Sequence, residues 1–466
     1  ANYNEILAFR NCTCDYRNCY SIIMDLRKKH KTFIYKNYEY DFKDKDLNIS
    51  FDFFIEPNIQ LNPKIKIKNI ERSKLDKEIL ENLIFNLGMI ELVSYYKTTC
   101  SPKIIIECGK TNKTFWKKLY LKGLGEFFYK NKIDFTKKDF LEIEYNSSKQ
   151  FPKKNIKTKD KILLPIGGGK DSVVSLNLLK NKNVCCLGLN KTKEIENVIG
   201  ENKHIYVERK IDKKLLELNR QGYYNGHTPF SAYLAFLSLL VAYLIDARYI
   251  VLSNERSANE ETTLFLNKKI NHQYSKTFEF ENDFRKYVKT YLIEGIEYFS
   301  LLRPLYEIQI AELFSHYKEY HNIFLSCNEA NKTYSQTKEK TSTWCLKCSK
   351  CLFVFTMLYP FMEEKELLKI FNKNLFEDKE LKNEMLNLIE KKPFECVGTK
   401  EESLLGFYLS FKKAEHKNYY LLDYLNKNSY FKNINKNKIL NTYSNKNNLP
   451  KKFETLLKNE IKRIRK

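Results

Sequence analysis

The chain has 466 residues, 43% of them hydrophobic and 14% aromatic, which is enough to bury large cores in roughly two to four domains and excludes a disordered polymer. Its formal charge of +24, from 81 basic and 57 acidic residues, admits a nucleic-acid partner, an anionic small substrate, or the coding bias of an AT-rich genome that also enriches Asn, Ile, Tyr and Phe. The basic residues are spread from end to end, which favours bias and speaks against nucleic acid.

The start, Ala1-Asn-Tyr-Asn-Glu5, lacks a basic head followed by an apolar core, so no targeting signal is expected. Residues 1–155 mix alternating segments, Phe51–Ile55 and Lys103–Glu107, with a helical stretch, Ser73–Asn86. They read as an α+β domain for substrate binding or docking. Asn146–Lys161 is Lys-rich, contains Pro152 and suits a linker.

From Ile162 the texture changes. Apolar runs at Ile162–Ile166, Val184–Leu189, His204–Val207, Tyr249–Leu252 and Ile323–Ser326 read as five strands. Helical stretches at Ser172–Lys180, Phe230–Ile245 and Glu307–Tyr320 lie between them. Alternation of this kind implies an α/β domain over 156–365, with a parallel sheet covered on both faces. Phe230–Ile245 is sixteen residues long, short of the ~20 that span a bilayer, so no membrane span and a cytoplasmic location are expected. The twelve cysteines are then thiols or metal ligands rather than disulfides. Residues 366–466 form a helical region whose part Lys417–Asn448 reads as a loosely packed polar tail. There is no internal repeat.

The strongest motif is Leu163-Leu-Pro-Ile-Gly-Gly-Gly-Lys-Asp-Ser-Val-Val-Ser175. A strand ends, three glycines turn the chain and a helix begins. Gly167, Gly168 and Gly169 let backbone N–H groups approach phosphate oxygens, and the helix N-terminus adds partial positive charge. Lys170 supplies a full charge, Asp171 suits Mg²⁺ and Ser172 can donate a hydrogen bond. This is not the G-x-x-x-x-G-K-[ST] loop of common nucleotide hydrolases. It resembles the S-G-G-x-D-S loop of the PP-loop ATP pyrophosphatases, whose fold is a parallel sheet of the adenine nucleotide alpha hydrolase type. That resemblance implies ATP cleaved between its α and β phosphates and adenylylation of a substrate oxygen. Gly167 stands where that superfamily usually has Ser, which removes one hydroxyl contact.

Cys345, Cys348 and Cys351 have C-x-x-C-x-x-C spacing, and Cys327 supplies a fourth thiol. Four thiolates fit a structural Zn²⁺ or an iron–sulfur cluster, and buried free thiols remain the alternative. The arrangement resembles the zinc site of PP-loop enzymes that make 7-cyano-7-deazaguanine, with a longer gap after the first Cys.

Further segments narrow the choice: Ser94–Pro102, Gly123–Tyr129, Ser253–Glu260, Asn271–Glu279, Tyr298–Leu305, Trp344–Phe355 and Lys392–Thr399. Together they resemble the UDP-N-acetylmuramoyl-L-alanyl-L-glutamate epimerases of bacterial cell-wall synthesis, over about residues 85–405. The resemblance implies an ATP- and Mg²⁺-dependent enzyme that inverts the terminal L-Glu of UDP-MurNAc-L-Ala-L-Glu to D-Glu. Activation explains the need for ATP: joining the carboxylate to AMP gives a neutral acyl group, onto whose carbonyl the Cα carbanion can spread.

Proton removal and return need acid/base groups. His272, Glu255 and Cys396 are the catalytic candidates beside Lys170 and Asp171, with Glu279 and Glu395 also considered. Asn254, Arg256 and Arg303 are the candidates for holding the anionic substrate, since Arg grips carboxylate and phosphate in bidentate fashion. A tRNA- or deazaguanine-modifying PP-loop enzyme, an epimerase or ligase of another envelope precursor, and a nonenzymatic ATP-binding module are the competing readings.

Overall fold

The computed structural model describes residues 26–70, 75–331, 343–415 and 417–465. Eleven strands form its main sheet. Six come from the first third: β1 (Thr32–Lys43), β2 (Asp46–Ile55), β3 (Ile59–Leu61), β4 (Lys64–Ile67), β5 (Lys103–Ile106) and β6 (Glu142–Tyr145). In β2 every second side chain, from Leu47 to Ile55, is buried, the period of a strand with one covered face. Helix α1 (Lys77–Tyr96) covers it, started by the Asp76 carboxylate, which accepts from the Glu78 and Ile79 amides. It runs well past the Asn86 expected as its end, and Ser73, the expected start, lies outside the described residues.

The other five strands are β7 (Lys159–Ile166), β8 (Val184–Leu189), β9 (His204–Lys210), β10 (Ala247–Leu252) and β11 (Glu297–Ser300). They are parallel, in the order β11-β10-β7-β8-β9. β9 then pairs antiparallel with β4, Val207 opposite Ile67, so one sheet runs across both halves of the chain. The sheet continues from β4 through β2, β1 and β5 to β6. The fold is a mixed α/β architecture with a largely parallel centre and a helical C-terminal region.

Three expectations need correction. The fifth parallel strand is Glu297–Ser300, not Ile323–Ser326. The latter segment crosses the end of β7, where the Leu325 amide donates to the Gly168 carbonyl at 2.9 Å. Phe324 and Leu325 are buried there, and a short buried loop has the same apolar signature as a buried strand. The region 417–448 is also better packed than expected: Leu421, Leu422, Leu425 and Ile439 are all buried. A final helix, Lys451–Ile464, seats Phe453 against Tyr249 and Phe299. The expected linker 146–161 is pinned, since Lys154–Asn155 pairs with Ile293–Glu294 and β7 begins at Lys159.

Helix α2 (Lys170–Leu178) follows β7, and α3 (Phe230–Leu244), buried on almost every side, precedes β10. Among the described residues no helix is long and apolar enough to cross a membrane. After β7 the chain steps to β8 and β9, then returns to β10 on the other side of β7. The carboxyl ends of β7 and β10 therefore flank a topological switch point, where open α/β sheets form a crevice.

Candidate active site

The end of β7 turns through Gly167–Gly169 into α2, and Gly169 is the helix N-cap with no side chain bonded to the first turn. The first amides of α2 are thus available to an anion. Gly168 has φ +80°, and a Cβ there would lie 2.6 Å from Glu194 Cγ. A Cβ at Gly169 would meet Ser326 Oγ at 2.7 Å, whereas one at Gly167 would meet no described residue within 4 Å. The Ser172 hydroxyl donates to the Gly169 carbonyl at 2.9 Å.

Charges gather beside this turn. Helix α4 (Glu307–Phe314) begins with Glu307. Lys170 is almost wholly buried and paired with Asp171 and Glu307. Burial disfavours its charge, yet the two carboxylates hold its pKa above the ordinary value. Carboxylate oxygens of Asp171, Glu255 and Glu307 lie within 4.8 Å of one another. Burial pushes Glu255 up to about 7 against the opposing pull of Lys276, and Glu307 and Asp171 add to the push. Glu307 is held low: burial would raise it, but Lys170 and Lys350 beside it prevail. Lys350 Nζ is 3.7 Å from Glu307 and also donates to the Cys396 carbonyl.

Cys396 leads to a second group. Its Sγ is 3.8 Å from His272 Nε2, and His272 Nδ1 is hydrogen-bonded to the Glu126 carboxylate. Burial alone would raise the Cys396 thiol, but Lys276 and His272 bring it down to about 5. Burial would lower His272, but Cys396 and Glu126 raise it to about 9. Both shifts favour a thiolate beside an imidazolium.

The expected substrate-binding residues separate. Asn254 is buried and donates to Ser300 Oγ. Arg256 stacks on Tyr306, 4.4 Å from its ring centre, at the wall of a cleft of about 840 Å³ that Thr399, Thr442 and Lys446 also line. Arg303 is a correction: it is fully buried and bonds to Glu281 and to the carbonyls of Glu255 and Lys276. It ties the loops of the site together from inside, because its donors already have interior partners. Glu279 pairs with Lys118 and Lys122 at the surface. Glu395 caps the Lys350 amide at 2.7 Å.

The thiols of Cys327, Cys345, Cys348 and Cys351 lie within 4.8 Å of one another, with Cys345 and Cys348 Sγ at 3.7 and 3.5 Å from Cys351 Sγ. Four sulfurs at about 2.3 Å from one Zn²⁺ sit roughly 3.8 Å apart, so the group fits that ion. Ser326 packs on Gly169 immediately before Cys327, so the cluster backs directly onto the glycine turn.

The sequence model of the MurL N-terminal domain matches residues 24–301, and that of the MurL C-terminal domain matches 323–438. The chain belongs to the MurL family. A relative from Xanthomonas oryzae pv. oryzae is 33% identical over 346 residues, 71% of this chain and 75% of its own length. One from Salinispora tropica is 33% identical over 333 residues, 69% and 72% of the two chains. One from a Micromonospora species is 32% identical over 342 residues, 69% and 73%. All three are named UDP-N-acetyl-alpha-D-muramoyl-L-alanyl-L-glutamate epimerase.

The site draws on both MurL matches. The glycine turn, Glu126 and His272 fall in the first, Cys396 and Lys350 in the second, and Glu307 between them. Sequence reading missed Glu126, Lys276, Glu307 and Lys350 as site residues. Glu126 lay inside a MurL-like segment and Glu307 at a helix start, but nothing in spacing joins Glu126 to a histidine 146 positions away.

Proposed function

We propose that this MurL-family chain is an ATP- and Mg²⁺-dependent epimerase of UDP-MurNAc-L-Ala-L-Glu in peptidoglycan precursor synthesis. The α-carboxylate of the terminal L-Glu attacks the α phosphate of ATP, releasing pyrophosphate and giving an acyl adenylate. The Cα proton is then removed, returned to the opposite face, and the adenylate is hydrolysed to D-Glu and AMP. The observation that carries this reading is the junction of two chemistries: Lys170 of the glycine turn is linked through Glu307 and Lys350 to the backbone of Cys396, whose thiol lies beside His272.

Each group has a role in that scheme. The amides after Gly167–Gly169, with Lys170 and Ser172, receive phosphate oxygens. Asp171, Glu255 and Glu307 would hold Mg²⁺, which when bound offsets phosphate charge. Lys276 and Lys350 add positive charge where the adenylate forms. Cys396, with His272 beside it, is the group for proton removal, and Arg256 faces the cleft that would admit the anionic substrate. The four cysteines would hold a structural Zn²⁺ behind the turn.

The test is direct. Protein, ATP, Mg²⁺ and UDP-MurNAc-L-Ala-L-Glu should yield AMP and, after acid hydrolysis, D-Glu. Asp171→Ala should yield neither. AMP formed with tRNA and not with the dipeptide would overturn the substrate assignment, and normal turnover by Asp171→Ala would overturn the site.

A further inference from the structure

Glu126, His272 and Cys396 come from three distant parts of the chain and line up. Glu126 lies on the short helix Gly125–Lys130, His272 just after the hairpin strand Lys268–Ile270, and Cys396 in the loop before the helix Lys400–Ala414. The two ring nitrogens of His272 face different partners: Nδ1 meets the Glu126 carboxylate, and Nε2 lies 3.8 Å from Cys396 Sγ. The ring is held from its own backbone, whose amide donates to Thr262 Oγ1 at 3.1 Å. The two segments are also joined beside the line, where Gln273 Nε2 donates to the Val397 carbonyl at 3.0 Å. Glu126 is buried, whereas His272 and Cys396 are partly exposed, so the line runs from the interior outward and ends on sulfur.

The surrounding charges suit a proton line better than a metal site. Glu126, His227 and His272 offer three ligand atoms within 4.8 Å. However, Lys130 Nζ sits 2.6 Å from Glu126 Oε1, and Lys97 holds the His227 loop through the Gly226 carbonyl at 2.6 Å. A cation would meet both lysines. His227, whose ring is tilted against that of His272 with the centres 4.4 Å apart, is kept neutral, because burial and the charge of His272 lower it to about 3. The groups facing Cys396 are Lys276, His272 and Lys350, and those facing His272 are Cys396, Glu126 and His227. These three charged groups around Cys396 are all basic.

We infer that Glu126 is a positioning residue for the reaction: through His272 it holds Cys396 as a thiolate, and Cys396 is the base that removes the Cα proton. This rests on the epimerase reading above. The Cα–H bond breaks, an S–H bond forms at Cys396, and the C–H electron pair moves onto the acyl carbonyl as an enolate. A proton derived from water adds to the opposite face, and the Cys396 thiol returns its proton to water as the adenylate is hydrolysed. A thiolate beside an imidazolium is the arrangement that activates a cysteine at neutral pH. Glu126 acts through the ring, as a buried carboxylate that fixes its orientation and steadies its charge.

The ultraviolet thiolate band of the full chain, titrated against pH, tests the assignment. Subtracting the Cys396→Ser variant isolates the one sulfur. The difference band should titrate well below about pH 7. Glu126→Gln should raise its midpoint by at least about one pH unit, and the acid limb of D-Glu formation should rise with it. Should Glu126→Gln fail to fold, His272→Asn carries the same expectation for the band. A midpoint at the ordinary thiol value, or one that a folded Glu126→Gln leaves in place, overturns the inference; so does a titration abolished by removing a bound metal. The titration needs neither ATP nor dipeptide, so a low midpoint without D-Glu formation would refute the epimerase reading and leave the thiolate line standing.

Discussion

Lys170 and Glu307 form an ion pair in which both side chains are almost fully buried, the lysine from the first turn of α2 and the glutamate from the first turn of α4. The pair locks the helix after the glycine turn to the helix behind β11. Breaking one partner of a buried pair leaves the other charge without compensation, at about 3–5 kcal/mol. Lys350 and Asp171 remain near in this case, so Glu307→Gln should cost about 2–3 kcal/mol. Urea unfolding of the variant and parent measures it, and AMP formation should fall in the same variant.

The glycine turn makes a paired prediction. Gly168→Ala must place a Cβ at φ +80° and 2.6 Å from Glu194, costing about 1–2 kcal/mol of backbone strain and loosening the phosphate contacts. Gly167→Ser meets no described residue within 4 Å and should fold as the parent does. Melting temperatures and AMP rates of the two variants should therefore separate, with only Gly168→Ala falling in both.

Activity should depend on pH through the thiolate–imidazolium pair. Cys396 loses its negative charge as pH falls through about 5, and His272 loses its positive charge as pH rises through about 9. D-Glu formation should therefore form a plateau between those values and fall on either side. A rate that rises steadily to high pH, following an ordinary thiol, would contradict the assignment.

The four-cysteine cluster should carry about one zinc per chain. Cys348→Ser should lower the metal content and the melting temperature together, since Cys327 anchors the segment that packs on Gly169. Cys396→Ser should retain the metal, being outside the cluster. Metal analysis of freshly purified protein decides, and absence of stoichiometric metal would contradict the site.

Much of the fold could be read in advance where one local pattern had one meaning. The run from Ile162 to Ser175 read as a strand, turn and helix because glycines separate an apolar run from a helical one, and the structure forms β7 and α2 there. Ile323–Ser326 misled because a loop buried beneath the turn is as apolar as a strand. The site divided in the same way. Gly167–Ser172, Glu255, His272 and Cys396 were legible as candidates, while Glu126, Lys276 and Glu307 depend on contacts between distant segments. Arg303 illustrates the opposite failure: its residue type suits an anion, but its interior carbonyl and Glu281 partners are visible only in three dimensions.

In the proposed reaction the carboxylate beside the inverted carbon is joined to AMP before the proton moves. Substrate labelled with oxygen-18 in the α-carboxylate of its terminal Glu tests this most directly, by mass analysis of the AMP produced. AMP should carry one labelled oxygen for each D-Glu formed, because hydrolysis at the acyl carbon leaves the bridging oxygen on phosphorus. D-Glu formed with unlabelled AMP, or with no AMP, would contradict it.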